Sequence, residues 1–437
     1  MLIEFKISNY RSICEEQNLS LVPAKGQQEH LGNVLKRRNE ALNSIALYGA
    51  NSSGKSNLLQ AFDLLKRILF SSARASSTTK LPYDPFLLRA GYDEKPTELA
   101  ITFEVDETRY RYGFAFNKEE VLEEWLFRKR VGREVELFCR ERDVIEVSSG
   151  FEGSTKLIDT AVEATRPNAL FLSLCDMLNV EEAKTLFHWF RKMTYIDGLD
   201  TTNEELSTIN LLHNEQYAPK IKAYLNSLEL GFSEVVLEKK GYLPASTAGA
   251  LDQRLRHSMV NDAMVQPTQQ QYEVSTVHAT YDEAGKRRDE PIVWPMQERE
   301  SAGTRKAFQF SGPVLHTLFE GGVLIIDEIE AKIHPVLTLN IIQLFLSGDT
   351  NPKGAQLIFA THDTNLLNYA KLRRDQIYFV EKNDWDASEI FSLSDFKYFG
   401  GQKERHDVNK ERRYLEGRYG AVPVLGQFQE QMTGWHG

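Results

Sequence analysis

The chain has 437 residues, 41% of them hydrophobic and 26% charged, with a formal net charge of −10. That is the composition of an ordinary globular protein with material for two or three cores. The acidic balance excludes a protein that coats nucleic acid with its whole surface, and no apolar run approaches the roughly 18 residues of a membrane span. Three scattered cysteines, Cys14, Cys139 and Cys175, form neither a disulfide framework nor a metal spacing. The N-terminus has no basic segment leading into a long apolar one, so a cytoplasmic location is expected and a membrane partner is not.

The opening LIEFKISNYRS alternates apolar and polar residues, as a half-buried strand does. NSIALYG follows as a short apolar strand stopped by glycine, and KSNLLQAFDLLKRILF carries apolar residues at helical spacing. Aromatic-rich alternation over residues 81–150 predicts an antiparallel β subdomain. Helical patterns dominate over about 161–237, without the sustained heptads of a coiled-coil arm. Residues 244–270 are polar and irregular, and read as an exposed connection. Then come the strand YEVSTVHATYD, a helix near RKAFQFSGPVLHTLF, the buried strand GVLIIDE, another helix and the strand AQLIFATHD. Near-continuous apolar strands alternating with helices predict a parallel sheet covered on both faces. The expected organisation is an N-terminal lobe over 1–160, a mainly helical insertion over 161–290 and a C-terminal lobe over 291–437.

Three stretches carry chemistry. Gly49-Ala-Asn51-Ser52-Ser53-Gly54-Lys55-Ser56 fits G-x-x-x-x-G-K-[ST] at every position, and Asn57 follows it into the helix. The glycines allow a loop whose amides converge on one point, and the helix start adds positive potential, so phosphates bind there. Lys55 is the residue to reach the β- and γ-phosphates of ATP, and Ser56 the one to ligate Mg²⁺. In GVLIIDEIEAKIHP an apolar strand runs into Asp327, a second candidate for Mg²⁺, and Glu328, placed to polarise an attacking water. The strand QLIFATHD ends at His362, whose neutral imidazole can donate to a γ-phosphate. The bland readings are a glycine-rich turn, a solvated strand exit and a structural histidine. Their order along one α/β pattern is what favours the chemical ones.

The three motifs resemble the ATP-binding-cassette branch of P-loop ATPases, the branch of RecF, SMC and Rad50 heads. That resemblance implies a mixed sheet with helices on both faces, here with a β subdomain and a helical insertion. It also implies a signature turn ahead of the acidic pair. ERESAGTRKAF stands there: Ser301 and Gly303 match the serine and second glycine of L-S-G-G-Q, whereas Glu300, Ala302 and Thr304 depart from it. GANSSGKSNLL, ESAGT, DEIEAKIHP, THDTNLL and the tail from RRDQIYFVEK to YLEGRYGAVP are similar to the AAA15-type ATPases, the AbiL- and RloA-like proteins of bacterial anti-phage loci, akin to the ATPase of PARIS systems. The resemblance implies ATP clamped between two copies, a homodimer or higher even oligomer, and control of a separate effector, a nuclease or TOPRIM-type protein encoded nearby.

One departure stands out. These heads carry a sensing glutamine between P-loop and signature, yet no glutamine occurs between Gln60 and Gln216. A DNA-clamping head of the RecF or SMC kind is the alternative function. A transporter motor would require the full signature and that glutamine. VEKNDWD, with Glu381, Asp384 and Asp386, has TOPRIM-like carboxylates but reads better as a solvated turn. Basic clusters at 36–38, 128–133, 286–288 and 410–413 are candidates for DNA or RNA contact; each is flanked by acids, as solvated faces are.

Overall fold

The computed structural model describes residues 1–199, 202–242, 270–397, 405 and 408–423. The irregular connection expected over 244–270 lies almost wholly outside them.

Two sheets share one helix. Strands β1 (Leu2–Ser8) and β2 (Gln17–Ser20) open the chain, and the small ribbon β3 (Val34–Lys36) and β4 (Glu40–Leu42) leads to β5 (Ser44–Tyr48) and helix α1 (Lys55–Ser71). The antiparallel run β6 (Thr97–Val105), β7 (Thr108–Phe116), β8 (Val121–Lys129), β9 (Val135–Glu141) and β10 (Val144–Val147) follows. These strands pair in the order β10-β9-β8-β7-β6-β1-β2. The predicted β subdomain is therefore larger than residues 81–150, because β1 and β2 complete it. On α1, Leu58, Leu59, Phe62, Leu65 and Leu69 recur at helical spacing and are buried. Phe62 stacks on Phe5 of β1 with ring centroids 3.8 Å apart. One hydrophobic cluster runs from the seven-stranded sheet through α1 to Ile45, Ile325 and Ile358 of the second sheet. Gln356 joins the sheets: its side chain accepts the Leu2 amide at 2.6 Å and donates to Leu2 O at 2.9 Å and Leu42 O at 3.0 Å.

Residues 161–290 were expected to be mainly helical. Helices α2 (Thr155–Ala164), α3 (Phe171–Met177) and α4 (Glu181–Arg191) lead to β11 (Met193–Asp197), and α5 (Thr202–Leu212) and α6 (Ala218–Ser227) lead to β12 (Glu234–Tyr242) and β13 (Gln270–His278). The segment thus also supplies one strand, β11, to a six-stranded central sheet. The apolar run ALFLSL, short enough for a strand, lies largely in α3. Buried Glu124 accepts the amides of Phe171 and Leu172, two donors that a starting helix leaves without partners.

β14 (Ile292–Pro295) joins β12 and β13 in a three-stranded sheet. The short α7 (Met296–Arg299) and the long α8 (Ala302–Glu320) precede β15 (Val323–Asp327), α9 (Pro335–Leu346) and β16 (Gln356–Ala360). The single turn α10 (Leu366–Tyr369), β17 (Ile377–Lys382), β18 (Ser388–Ser392) and α11 (Lys410–Leu415) complete the chain. The central sheet has the order β11-β15-β16-β5-β17-β18 and is parallel except for β18. Its helices and α1 make the mixed α/β architecture of a P-loop NTPase. Among the described residues no helix is long and apolar enough to cross a membrane.

Candidate functional site

In a parallel sheet every strand delivers its C-terminal end to the same edge, where ligands bind. Asp197 of β11 pairs with Asp327 of β15, Ile326 with Phe359, Ala360 with Leu47, and Phe379 with Tyr48. Gly49, Asp327, Glu328 and His362 therefore leave the sheet at one edge. The acidic strand is not the neighbour of the P-loop strand, because β16 lies between them and brings His362 into the gap.

The loop Gly49–Gly54 is held tightly from behind. A side chain at Gly49 would sit 2.3 Å from Val380 O, and Gly54, at φ +109°, would place one 2.0 Å from Ser388 Oγ. Ser388 Oγ donates to Ser53 O at 2.6 Å and lies 2.8 Å from Ser12 Oγ, to which Asn57 Nδ2 donates at 2.7 Å. Asn51 and Ser52 face solvent at the loop's tip. The Ser53 hydroxyl is buried without a partner, a donor suited to a phosphate oxygen.

Lys55 is buried and folds its ammonium onto Gly49 O at 2.9 Å and Ala50 O at 3.0 Å. Burial lowers its pKa, against the opposing charges of Asp327, Glu328 and Glu330. Burial likewise raises the pKa of Asp327; the nearby Ser56 hydroxyl opposes the rise, and Glu328 and Asp197 add to it. Asp327 Oδ1 is buried without a protein partner. An orphaned carboxylate oxygen beside a serine hydroxyl is a hard-oxygen pair that fits Mg²⁺, which keeps most of its own waters.

Glu328 stands at φ +49°, a left-handed conformation unusual for its residue type. His362 has its pKa lowered by burial and by Lys55, with Glu330, Glu328 and Asp327 opposing. Its backbone amide donates to Glu330 Oε1 at 2.6 Å. Ser301 caps α8, its hydroxyl accepting the Thr304 amide at 3.1 Å, and is exposed. Gly303 approaches Lys332 O instead of the P-loop. Lys55, Ser56, Asp327, Glu328 and His362 thus gather at one edge, and the signature-like turn makes its described contacts elsewhere.

Residues 44–368 match the AAA_21 family, described as "AAA domain, putative AbiEii toxin, Type IV TA system". The chain belongs to this family. AAA_21 membership makes it a P-loop ATPase of the abortive-infection type, in a toxin–antitoxin-like context, and implies nucleotide binding. The chain matches none of the curated proteins.

Several residues of this AAA_21 site escaped the sequence reading. Ser12 and Ser388, which brace the loop, come from the two ends of the chain and follow no motif. Gly198 donates its amide to Asp327 O at 2.9 Å, and its missing side chain leaves room for the Asp327–Glu328 peptide. The run MTYID before it, rich in β-branched and aromatic residues and closed by glycine, was the available signal for a strand.

Other candidates resolve differently. Asn383 forms the β17–β18 turn, its Oδ1 accepting the amides of Trp385 and Ala387, with Asp384 and Asp386 exposed. Glu381 Oε2 accepts the Ala421 amide at 3.0 Å. Among the described residues no group of three His, Cys, Asp or Glu is placed to hold a metal ion. Within the basic clusters, Arg37 donates to Lys353 O, Arg128 pairs with Glu182 and Glu152, Arg130 with Glu152, Arg288 with Glu290, and Arg412 with Glu416.

Proposed function

We propose that this chain binds ATP at the P-loop edge and hydrolyses it slowly, as a nucleotide-dependent switch of the AAA15 type in anti-phage defence. The observation that supports it best is the single sheet edge carrying Lys55, an unpartnered Asp327 oxygen, Glu328 and His362. The amides of the Gly49–Gly54 loop cradle the phosphates, and Lys55 leaves its loop carbonyls to neutralise the β- and γ-phosphates. Glu328 accepts a hydrogen bond from the attacking water and sets its line of approach, while His362 donates to the γ-phosphate. Ser56 and Asp327 would hold Mg²⁺, which supplies charge neutralisation across the phosphates. Lys55→Ala is expected to lose ATP binding, whereas Glu328→Gln keeps binding and loses turnover. A Glu328→Gln chain that hydrolyses ATP at the wild-type rate would refute the role given to Glu328.

The exposed Ser301 turn favours a second reading step, a head-to-tail homodimer. In that dimer Ser301 and Gly303 of one protomer meet the γ-phosphate bound by its partner. Among the described residues no group of three His, Cys, Asp or Glu is placed to hold the metal of a nuclease. The switch therefore acts through a separate effector, a nuclease or TOPRIM-type protein, docked on the β subdomain or the insertion.

A further inference from the structure

Lys306 lies in the first turns of α8, the helix capped by Ser301, and only 2% of it is exposed. Burying an ammonium is costly because it loses its hydration. An apolar side chain of similar length fills such a volume without that cost. Stability therefore does not explain a cation here, whereas its partners do suggest a purpose.

The Lys306 ammonium donates to Gly198 O, just past the end of β11, and sits 4.5 Å from the Phe310 ring centroid. Gly198 in turn donates its amide to Asp327 O at 2.9 Å. A side chain on Gly198 would lie 2.2 Å from Asp327 O and 2.5 Å from Glu328 O, so its backbone rests directly on the acidic turn. That turn holds Glu328 at φ +49°, which a glutamate keeps only when its surroundings impose it. At the start of the same helix, Gly303 packs so closely that a side chain there would meet Lys332 O at 3.2 Å. Burial pulls the Lys306 pKa down to about 8; Glu204 opposes this, Lys332 adds to it, and Asp197 and Glu328 oppose it.

We infer that Lys306 is a positioning residue that fixes the Asp327–Glu328 turn through Gly198 and links it to the turn bearing Ser301 and Gly303. The inference rests on the reading of Glu328 as the group that orients water in an ATPase. Two consecutive hydrogen bonds join the signature helix to the backbone that aims Glu328. A small displacement of α8 is thereby passed to the carboxylate. Lys306 is not among the groups that hold the phosphates, so its loss spares nucleotide binding and slows the chemical step.

The test uses the full chain, with steady-state MgATP hydrolysis and, separately, binding of a fluorescent ATP analogue. Lys306→Met is expected to lower kcat by about tenfold or more, as misplacement of a reacting group does. KM and analogue affinity should stay within about twofold of wild type, the pattern of an interaction that acts in the transition state alone. Recovery of turnover in Lys306→Arg, which keeps a cationic donor, supports the link. Wild-type kcat in Lys306→Met overturns the inference, as does a fall in kcat matched by an equal loss of analogue binding in both variants. If Lys306→Met fails to fold, Lys306→Gln, whose shorter neutral side chain cannot reach Gly198 O, decides: lowered kcat with binding retained supports the inference, and unchanged kcat overturns it. A wild-type chain that binds the analogue but hydrolyses nothing overturns the ATPase reading as well. Hydrolysis at the wild-type rate in Lys306→Met overturns the Lys306 inference alone.

Discussion

The Ser388 hydroxyl donates to the carbonyl of Ser53 at 2.6 Å, so the start of β18 holds the phosphate loop from behind. Gly54 packs in the same place, at φ +109° and with no room for a methyl group. Gly54→Ala should therefore abolish the rise in melting temperature that MgATP gives a binding-competent chain. Ser388→Ala removes the hydrogen bonds to Ser53 O and Ser12 Oγ, each worth about 1 kcal/mol, and should weaken that rise without eliminating it. A Gly54→Ala chain with a full ATP-induced shift would show that the loop is not braced as described.

Glu328 combines a functional carboxylate with an uncommon backbone conformation, and the two can be separated. Asparagine tolerates the left-handed region better than glutamate does. Glu328→Asn should keep unfolding stability within about 0.5 kcal/mol of wild type while turnover falls by about a hundredfold or more. Chemical denaturation and a phosphate-release assay on the same preparation check both halves.

Paired variants probe the head-to-tail arrangement. A Lys55→Ala chain and a Ser301→Arg chain are each expected to be inactive alone. Mixed, they form one interface with an intact P-loop facing an intact Ser301, and activity should return. Mixtures that stay inactive, together with an elution volume that ATP never shifts, would exclude that dimer.

Within the β subdomain, Glu124 is fully buried and accepts from Phe171 N, Leu172 N and Tyr112 Oη at 2.7, 3.0 and 2.9 Å. Its carboxylate lies 3.7 Å from the equally buried Arg140. Removing one partner of such a pair leaves a buried charge poorly compensated, so Glu124→Ala should cost about 3 kcal/mol or more. Urea unfolding measures it, and a loss below about 1 kcal/mol would place the pair with surface salt bridges in energetic weight.

Lys66 is buried on α1 and donates to Met193 O. Burial pulls its pKa from 10.5 to about 7, with Asp63 opposing. Between those two values the unfolded chain holds this proton and the folded chain does not, so stability rises with pH across that interval. Below it both states are protonated and the folded chain bears the full cost of the buried charge. Lys66→Met removes the titration. The stability of wild type relative to Lys66→Met should therefore increase from pH 7 to pH 9, and a flat difference would count against a buried titrating lysine.

How far the sequence could be read follows from where each contact lies along it. The P-loop, the Asp327–Glu328 exit and the His362 strand end are local patterns in which backbone geometry dictates residue type, so they were legible. Ser12, Ser388, Gly198 and Lys306 act across long sequence separations, and a hydroxyl or a glycine carries no periodic signal. β11 was overlooked because a five-residue strand between helices resembles a helix end. β1 and β2 were recognisable as extended at the start of the chain, but their place in the seven-stranded sheet depends on pairing with β6, which alternation alone does not specify.

The Gln356 side chain that clasps Leu2 has a consequence for synthesis on the ribosome. The two residues are separated by 354 positions. At ordinary elongation rates of about 5–20 residues per second, β1 waits roughly 20–70 s for its clasp. Throughout that interval the seam between the sheets is incomplete, and apolar faces of β1 and α1 that will meet the second sheet stay uncovered. A nascent chain of this kind is an expected client of ribosome-associated chaperones, and truncated messages ending before Gln356 should yield insoluble product even though β1–β10 and the P-loop are already encoded.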